Sequence, residues 1–500
     1  MTTTKSQTKT RVAAHRGTST ALNQPDKDKE LTDVSNAGRF AERHAGQLIY
    51  VPARGQWMEF IDHRWHTDSL GRVTQNAIQV TRDMLLEASK LVIEAALEQD
   101  KAYSLVLAAE AQALLGHAQK SQAKPRLDAM VSLAATDPRL AVEQGRLDAD
   151  DMLLGVRNGV IELGETTEFR AGMPRDMVTR QAGCDWQGGD EEVACPTWEA
   201  FISQIQPDPD VRHWLQKFAG YCLTGATSEQ IFVVMHGTGA NGKSVLVEVL
   251  KRMLGTYSQT VQFATFCERD QNAIRNDLAA LDKARLVVAS EGAEGARLDE
   301  GIIKQATGED EITARFLHRE FFTYRPRFKV VLVTNHRPVI TGSDHGIWRR
   351  VVLVPFPVTI PKDRQDKRLL DKLAAELPGI LAWAVKGFHL WLEQGLGELP
   401  RALVLANAEY RKNSDVLGMW LEDHCLLHAA SDLADDRQSE WFTSTSDLYK
   451  SYGLWAESMG HRAMSSKSLA DRLRERNLTP GKAKGNRGWF GIRLRTNSDT

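Results

Sequence analysis

The sequence predicts an α/β protein: a parallel-sheet core preceded by a mainly helical domain and followed by a small domain of two helices and a basic wing. Three observations predict it. Residues 231–250, IFVVMHGTGANGKSVLVEVL, read as a strand, a glycine-rich loop and a helix with Val245, Leu246, Val249 and Leu250 on one side. Two later runs, residues 284–291 and 328–335, have the unbroken apolar character of parallel strands buried on both faces. Residues 73–122 carry helical periodicity rich in Ala, Leu, Glu and Lys, enough for two or three helices.

Composition narrows the classes. A chain of 500 residues, 42% hydrophobic, suffices for about three domains. A net charge of −2 excludes a uniformly basic nucleic-acid coat, so any nucleic-acid surface must be local. The five cysteines (Cys184, Cys195, Cys222, Cys267, Cys425) are scattered without a C-x-x-C spacing, which argues against a zinc module or a disulfide framework. His424, Cys425 and His428 lie close together, but three candidates without a fourth fit an ordinary helix better than a metal site. No run reaches the length of a membrane span and no signal peptide opens the chain, so the expectation is a cytoplasmic protein without membrane contact.

In chain order, residues 1–33 are polar and read as a disordered tail whose Lys5, Lys9, Arg11 and Arg16 are solvated. Residues 34–205 read as the helical domain. Residues 49–66 supply a small hairpin with Trp57, Phe60 and Trp65 as its core, and Asn158-Gly159 forms a turn before a strand. Pro196-Thr197-Trp198 begins a helix. Asp148 and Asp150 have the spacing of a metal-holding pair, but the solvated face of an acidic helical stretch explains them better. Residues 206–395 form the core domain, 396–440 a helical linker and 441–500 the last domain.

Gly237-Thr-Gly239-Ala-Asn241-Gly242-Lys243-Ser244 matches the phosphate-binding pattern G-x-x-x-x-G-K-[ST]. Glycines let backbone N–H groups close around phosphates, the helix N-terminus adds positive potential, Lys243 reaches the β- and γ-phosphates and Ser244 holds Mg²⁺. The strand over 284–291 ends in Glu291; it is expected to lie beside the loop strand, where the acid polarises water or holds Mg²⁺. The strand over 328–335 ends in Asn335, which either orients water at the γ-phosphate or satisfies a turn.

Between these strands, residues 312–316 and 321–324 flank a tip of His318, Arg319 and Glu320, a hairpin suited to gripping a phosphate backbone or else a plain surface hairpin. After Asn335, Arg349 and Arg350 precede another apolar strand, and one guanidinium supplied across a subunit boundary would neutralise charge on a γ-phosphate. From residue 441 onward, eleven Lys and Arg face five Asp and Glu. Helices over 445–459 and 466–477, with Ser465 or Ser466 as cap of the second, precede a basic hairpin. This suggests a winged helix-turn-helix with Lys467, Arg472 and Arg476 on its second helix and Lys482, Lys484 and Arg487 on its wing; a basic capping domain for protein contacts is the alternative.

In succession, GTGANGKS, RLVVASE, KQATGEDEITAR, FKVVLVTNHRP and GIWRRVVLVPF resemble the superfamily 3 helicase module of phage and plasmid primase-helicases, relatives of the poxvirus primase-helicase. NGVIEL, CPTWEAFISQI and FAGYCLTG extend the resemblance to the helical domain before the motor, so that it covers roughly residues 36–360. It implies an AAA+-like motor with ATP and Mg²⁺, a ring that is usually a hexamer, and 3′-to-5′ movement of single-stranded DNA through its centre. It further implies that Lys243 and Ser244 bind nucleotide and Mg²⁺, Glu291 is the catalytic acid and Asn335 the sensor. Lys304 and Arg315 then belong to the motif before the hairpin, His318 and Arg319 to its DNA-gripping tip, and Arg349 or Arg350 is the finger acting in trans.

Two departures stand out. Many members carry paired acids at the end of the second strand, whereas Ser290 precedes Glu291 here. Nor do residues 1–230 leave room for a polymerising primase domain, so primer synthesis is expected from a separate primase. The expected function is an ATP-driven replicative DNA helicase of a phage, prophage or plasmid in a bacterial host, acting on single-stranded DNA and forked duplex. The alternatives are an ATP-switched origin-binding initiator without processive unwinding, and a small-molecule kinase, for which no acceptor site is evident.

Overall fold

The computed structural model describes residues 30–188, 193–268, 276–290, 295–315, 321–340, 345–428, 440–461, 463–483 and 485–496. The tip residues His318 and Arg319, the acid Glu291 and Lys484 lie outside these residues. The chain divides into two compact units, one comprising residues 1–60 and 66–144, the other 61–65 and 145–500. The expected division after residue 205 therefore falls inside the second unit.

The first unit contains helices α1 (Asp33–His44), α2 (Arg72–Leu97), α3 (Lys101–Ser121) and α4 (Lys124–Ala134), with strand β1 (Leu48–Val51) and most of β2 (Gln56–Ile61); the unit boundary runs through β2 and β3 (Arg64–Thr67). α1 begins where Thr32 and Ser35 bond each other's backbone N–H groups, a reciprocal cap. Phe40, Val73, Val80, Met84, Leu114, Leu127 and Met130 close one core between the helices. Inside it, Asn36 Nδ2 donates to Ser121 Oγ (3.0 Å) and Asn36 Oδ1 meets His117 Nε2 (3.0 Å). Burial holds the His117 imidazole below its usual range, which keeps this polar cluster neutral.

The second unit opens with an antiparallel sheet of β4 (Leu153–Val156), β5 (Gly159–Glu162) and β6 (Glu168–Arg170), followed by α5 (Pro196–Ile205) and α6 (Pro209–Tyr221). The start of α5 is capped from far along the chain: both Glu376 oxygens accept from the Thr197 and Trp198 N–H groups at 3.0 Å. Asp148 and Asp150 lie in a loop rather than a helix, a correction to the sequence reading. Asp148 has positive φ, and its carboxylate accepts from Thr179 N (2.7 Å) and Arg180 N (3.2 Å).

Next come β7 (Phe232–His236), α7 (Lys243–Leu254), β8 (Ser258–Gln262), α8 (Asn276–Ala279), β9 (Leu286–Ser290), α9 (Glu300–Thr307), β10 (Ile312–Ala314), β11 (Phe322–Tyr324), β12 (Lys329–Thr334), α10 (His345–Trp348) and β13 (Val351–Pro355). Five of these strands form a parallel sheet in the order β13-β7-β12-β9-β8. The loop strand β7 thus pairs with β12 and β13, and β9 is one strand further away. This corrects the expectation that the strand before Glu291 adjoins the loop strand. β7, β9, β12 and β13 are parallel and almost wholly buried, so their sequences hold no signal of their order relative to one another.

Alternate residues of each strand serve opposite layers. Val233, Met235, Val288, Val331 and Val352 pack with α5, α6, α7 and α12 (Leu377–Gln394). Phe232, Val234, Val287, Leu332 and Leu353 pack with Phe263, Phe266, Ile303, Ile347 and Tyr410 on the other side. Burying one such side chain contributes about 1.5–3 kcal/mol, so the sheet is a rigid base for whatever its strand ends carry.

At the opposite ends of β9 and β12, two cations lie inside the protein. Arg285 Nη2 donates to Leu153 O (2.7 Å), Nη1 bonds Leu223 O, and the guanidinium sits 4.4 Å from the Tyr257 ring centroid. Lys329 Nζ donates to Thr224 O (2.6 Å) and lies 4.5 Å from the Tyr221 ring centroid. Both donate to carbonyls of the turn that follows α6.

The chain finishes with α11 (Leu369–Ala375), α12, α13 (Arg401–Ser414), α14 (Val416–His424), β14 (Cys425–Leu427), β15 (Phe442–Ser444), α15 (Thr445–Ser458), α16 (Ser466–Glu475), β16 (Thr479–Ala483), β17 (Asn486–Phe490) and β18 (Ile492–Leu494). Leu417, Trp420 and Leu421 of α14 share a core with Leu448, Tyr452, Trp455, Leu469, Leu473 and Trp489, so the last cluster begins before residue 441. α14 ends at His424 and Cys425 starts a strand, which separates the three residues weighed as a helical cluster; among the described residues no three His, Cys, Asp or Glu are placed to hold a metal.

Candidate functional site

The loop between β7 and α7 and the ends of β9 and β12 open onto one cavity of about 890 Å³. Its geometry begins with two glycines. Gly242 has φ of +79°, and an added Cβ would run into Ile205; at Gly237 a Cβ would strike the Asn241 amide and Phe356 O. The first turn of α7 then presents N–H groups without helical partners, and Ser244 is exposed there.

Lys243 is buried, and its ammonium donates to Gly237 O (2.8 Å), Asn241 Oδ1 (2.9 Å) and Asn335 Oδ1 (3.2 Å). Desolvation lowers its pKa to about 8. Asn241 is also buried, and among the described residues its Nδ2 has no hydrogen-bond partner. A buried ammonium, an unpaired amide donor and a helix N-terminus around one cavity suit an anionic ligand.

Asn335, which the sequence left between a water-orienting role and a turn, bonds Lys243 across 92 residues of chain. Ser290 ends β9 at the cavity and is exposed there; Glu291 follows it outside the described residues. Phe201 and Gln204 of α5, Thr260 of β8, and Ile360, Arg364 and Gln365 also line the cavity. Sequence reasoning missed these six because no local motif marks them, and only the packing of α5, of β8 and of the segment after β13 brings them in.

Arg349 and Arg350 separate. Arg350 is buried, with Nη1 donating to Gly346 O (2.9 Å), while Arg349 is exposed and donates from Nη2 to Gln230 Oε1 (3.1 Å). Of the two guanidiniums, Arg349 is the one exposed on the surface of its own chain. Neither lines the cavity of its own chain.

β10 and β11 pair antiparallel, Ile312 with Tyr324 and Ala314 with Phe322. Arg315 stacks over the Phe321 ring at 4.8 Å and Lys304 lies half-buried on α9. In the last cluster, Lys467 is exposed and Arg472 half-buried on α16, whereas Arg476, just past its end, pairs with Asp415. Lys482 and Arg487 are exposed and directly opposite each other on β16 and β17. Two like charges at one cross-strand position destabilise a hairpin unless an anion lies between them.

Two family models match the chain: D5 N terminal like over residues 37–207 and a family of unknown function, DUF5906, over residues 235–350. Among curated relatives, "Putative helicase L207/L206" of Acanthamoeba polyphaga mimivirus is 27% identical over 428 residues, covering 81% of this chain and 43% of that protein. "Putative helicase 022R" of Frog virus 3 is 27% identical over 247 residues, covering 45% and 25%. "Putative primase C962R" of African swine fever virus is 22% identical over 153 residues, covering 30% and 16%. The chain spans less than half the length of each. A solved apo structure of the NrS-1 C-terminal region superposes with a TM-score of 0.48 at 7% identity, covering 92% of this chain and 99% of that one.

Proposed function

Because the two matched regions and the viral relatives fit a D5-type primase-helicase family, we propose that this chain is an ATP-driven DNA helicase of the superfamily 3 type, replicating a phage, prophage or plasmid. The observation that carries the reading is the bond between Lys243 and Asn335, which joins the loop and the end of β12 in one cavity large enough for a nucleoside triphosphate. The sheet order, with β12 between the loop strand and β9, supports an AAA+-like motor. ATP is the substrate, held by Gly237, Gly239, Asn241, Gly242, Lys243 and Ser244. Mg²⁺, when bound, would be held by Ser244 with Glu291 and would neutralise phosphate charge.

In this reading Asn335 orients the attacking water, and exchange of the Lys243 ammonium from Asn335 to phosphate frees that amide for it. The chain assembles as a ring, with a hexamer as the working size and 3′-to-5′ polarity. Lys304, Arg315, His318 and Arg319 engage single-stranded DNA, while Lys467, Arg472, Lys482, Lys484 and Arg487 meet DNA through a winged helix. A separate primase supplies primers.

The test is ATPase activity with and without single-stranded DNA, beside unwinding of a forked duplex. Wild type is expected to be stimulated by DNA and to unwind; His318→Ala/Arg319→Ala is expected to lose unwinding with most basal ATPase retained. ATP hydrolysis with neither stimulation nor unwinding would favour the origin-binding initiator.

For the trans contact, Arg349→Ala is expected to lower assembled ATPase about 10³-fold with an unchanged melting midpoint. Arg350→Ala is expected to lower the midpoint instead, because its guanidinium is buried against Gly346 O. Mixing Arg349→Ala with Lys243→Ala subunits should recover part of the activity. Without recovery, the assignment of Arg349 fails.

A further inference from the structure

The cavity has a wall that none of the motifs contains. After β13 the chain runs back over the loop as a strap. Phe356 N–H donates to His236 O (2.8 Å) and Ile360 N–H to Ala240 O (2.7 Å), so the strap is bonded to backbone before and within the glycine-rich turn. It makes one turn at Lys362–Arg364 and enters α11, with Arg364, Gln365 and Asp366 as its polar contribution to the cavity lining.

Two of those three side chains are already engaged. Gln365 Nε2 donates to Ile360 O (2.8 Å), and Asp366 pairs with Lys372 (2.6 Å). The other lysines of the lining are engaged too: Lys243 by three oxygens and Lys251 by Glu248 at 3.0 Å. Arg364 is exposed, and among the described residues its guanidinium has neither an acceptor nor an ion pair. A planar fork of N–H donors in the wall of a phosphate-binding cavity matches phosphate oxygens better than any other part of a nucleotide.

We propose that Arg364 is a second cation of the nucleotide site, supplied in cis by the strap and bonded to the phosphates of the nucleotide held on residues 237–244. This rests on the nucleotide reading above. Because the strap is hydrogen-bonded to the loop of the same chain, Arg364 belongs to the binding site of its own subunit and complements the trans role given to Arg349. Its contribution is to ground-state binding, so its loss raises KM for ATP and leaves kcat nearly unchanged.

The experiment titrates the full-length protein with Mg²⁺ and the slowly hydrolysed analogue AMP-PNP, with ADP, and with adenosine, using wild type, Lys243→Ala, Arg364→Ala and Arg364→Lys. Arg364→Ala is expected to weaken AMP-PNP and ADP roughly 10- to 100-fold, with adenosine unchanged and Arg364→Lys intermediate. An unchanged melting midpoint is expected for Arg364→Ala, whose side chain has no bonded partner among the described residues. Binding of AMP-PNP within twofold of wild type would overturn the proposal, as would an equal loss with adenosine. If wild type itself binds no nucleotide, the parent reading fails and the assignment of Arg364 falls with it; wild-type binding with an unaffected Arg364→Ala removes this assignment alone.

Discussion

Lys243→Ala is expected to bring ATP turnover down at least about 100-fold, to background, while the protein stays folded. The ammonium is the buried charge of the cavity, and its three oxygen partners all belong to the cavity-facing loop and strand end.

The same residue predicts a pH profile. With its pKa lowered to about 8, Lys243 is charged below that value and increasingly neutral above it. Nucleotide affinity in wild type should therefore fall as pH rises through 8, by up to about tenfold per unit, because only the charged form pairs with phosphate. Binding at pH 8–9 should take up a proton, seen as a dependence of binding enthalpy on buffer ionisation. Residual binding by Lys243→Ala should show no such uptake.

The second large effect concerns stability. Arg285→Met is expected to cost about 3–5 kcal/mol, read as a lowered denaturation midpoint of the second unit. The guanidinium is the donor for carbonyls of Leu153 and Leu223, which have no water to turn to once it is gone, and its stacking on Tyr257 is lost as well. Methionine keeps most of the volume, so the result isolates the polar contribution. A loss below about 1 kcal/mol would show that those carbonyls find other donors.

Much of this architecture can be read from the chain because strand, loop and helix at residues 231–250 obey local rules: an unbroken apolar run, glycines where φ is positive, and a one-sided helix. The pairing of residues 312–314 with 322–324 and the C-terminal helices are readable for the same reason. Strand order was not, since β7, β9 and β12 carry equivalent Val-rich faces and differ only in their neighbours. No local pattern marks Arg285 and Lys329 as interior groups; the carbonyls of Leu153 and of the turn after α6 make them so. The division of Arg349 from Arg350 depends on which guanidinium turns back to Gly346, a rotamer choice that adjacent identical residues do not announce. Arg364 belongs to the same class, because a lone arginine in a polar loop acquires meaning only when the strap is bonded to the loop.

Strand β12 joins two fixed points. Its first residue, Lys329, is fastened to the turn after α6, and Asn335, just past its last, is fastened to Lys243. In parallel pairing along both edges, deletion of one residue would swap every side chain to the wrong layer and pull one of the two ends from its partner. This stretch is therefore of fixed length: point substitutions among its aliphatic residues should be tolerated in a library where single-codon insertions and deletions are not.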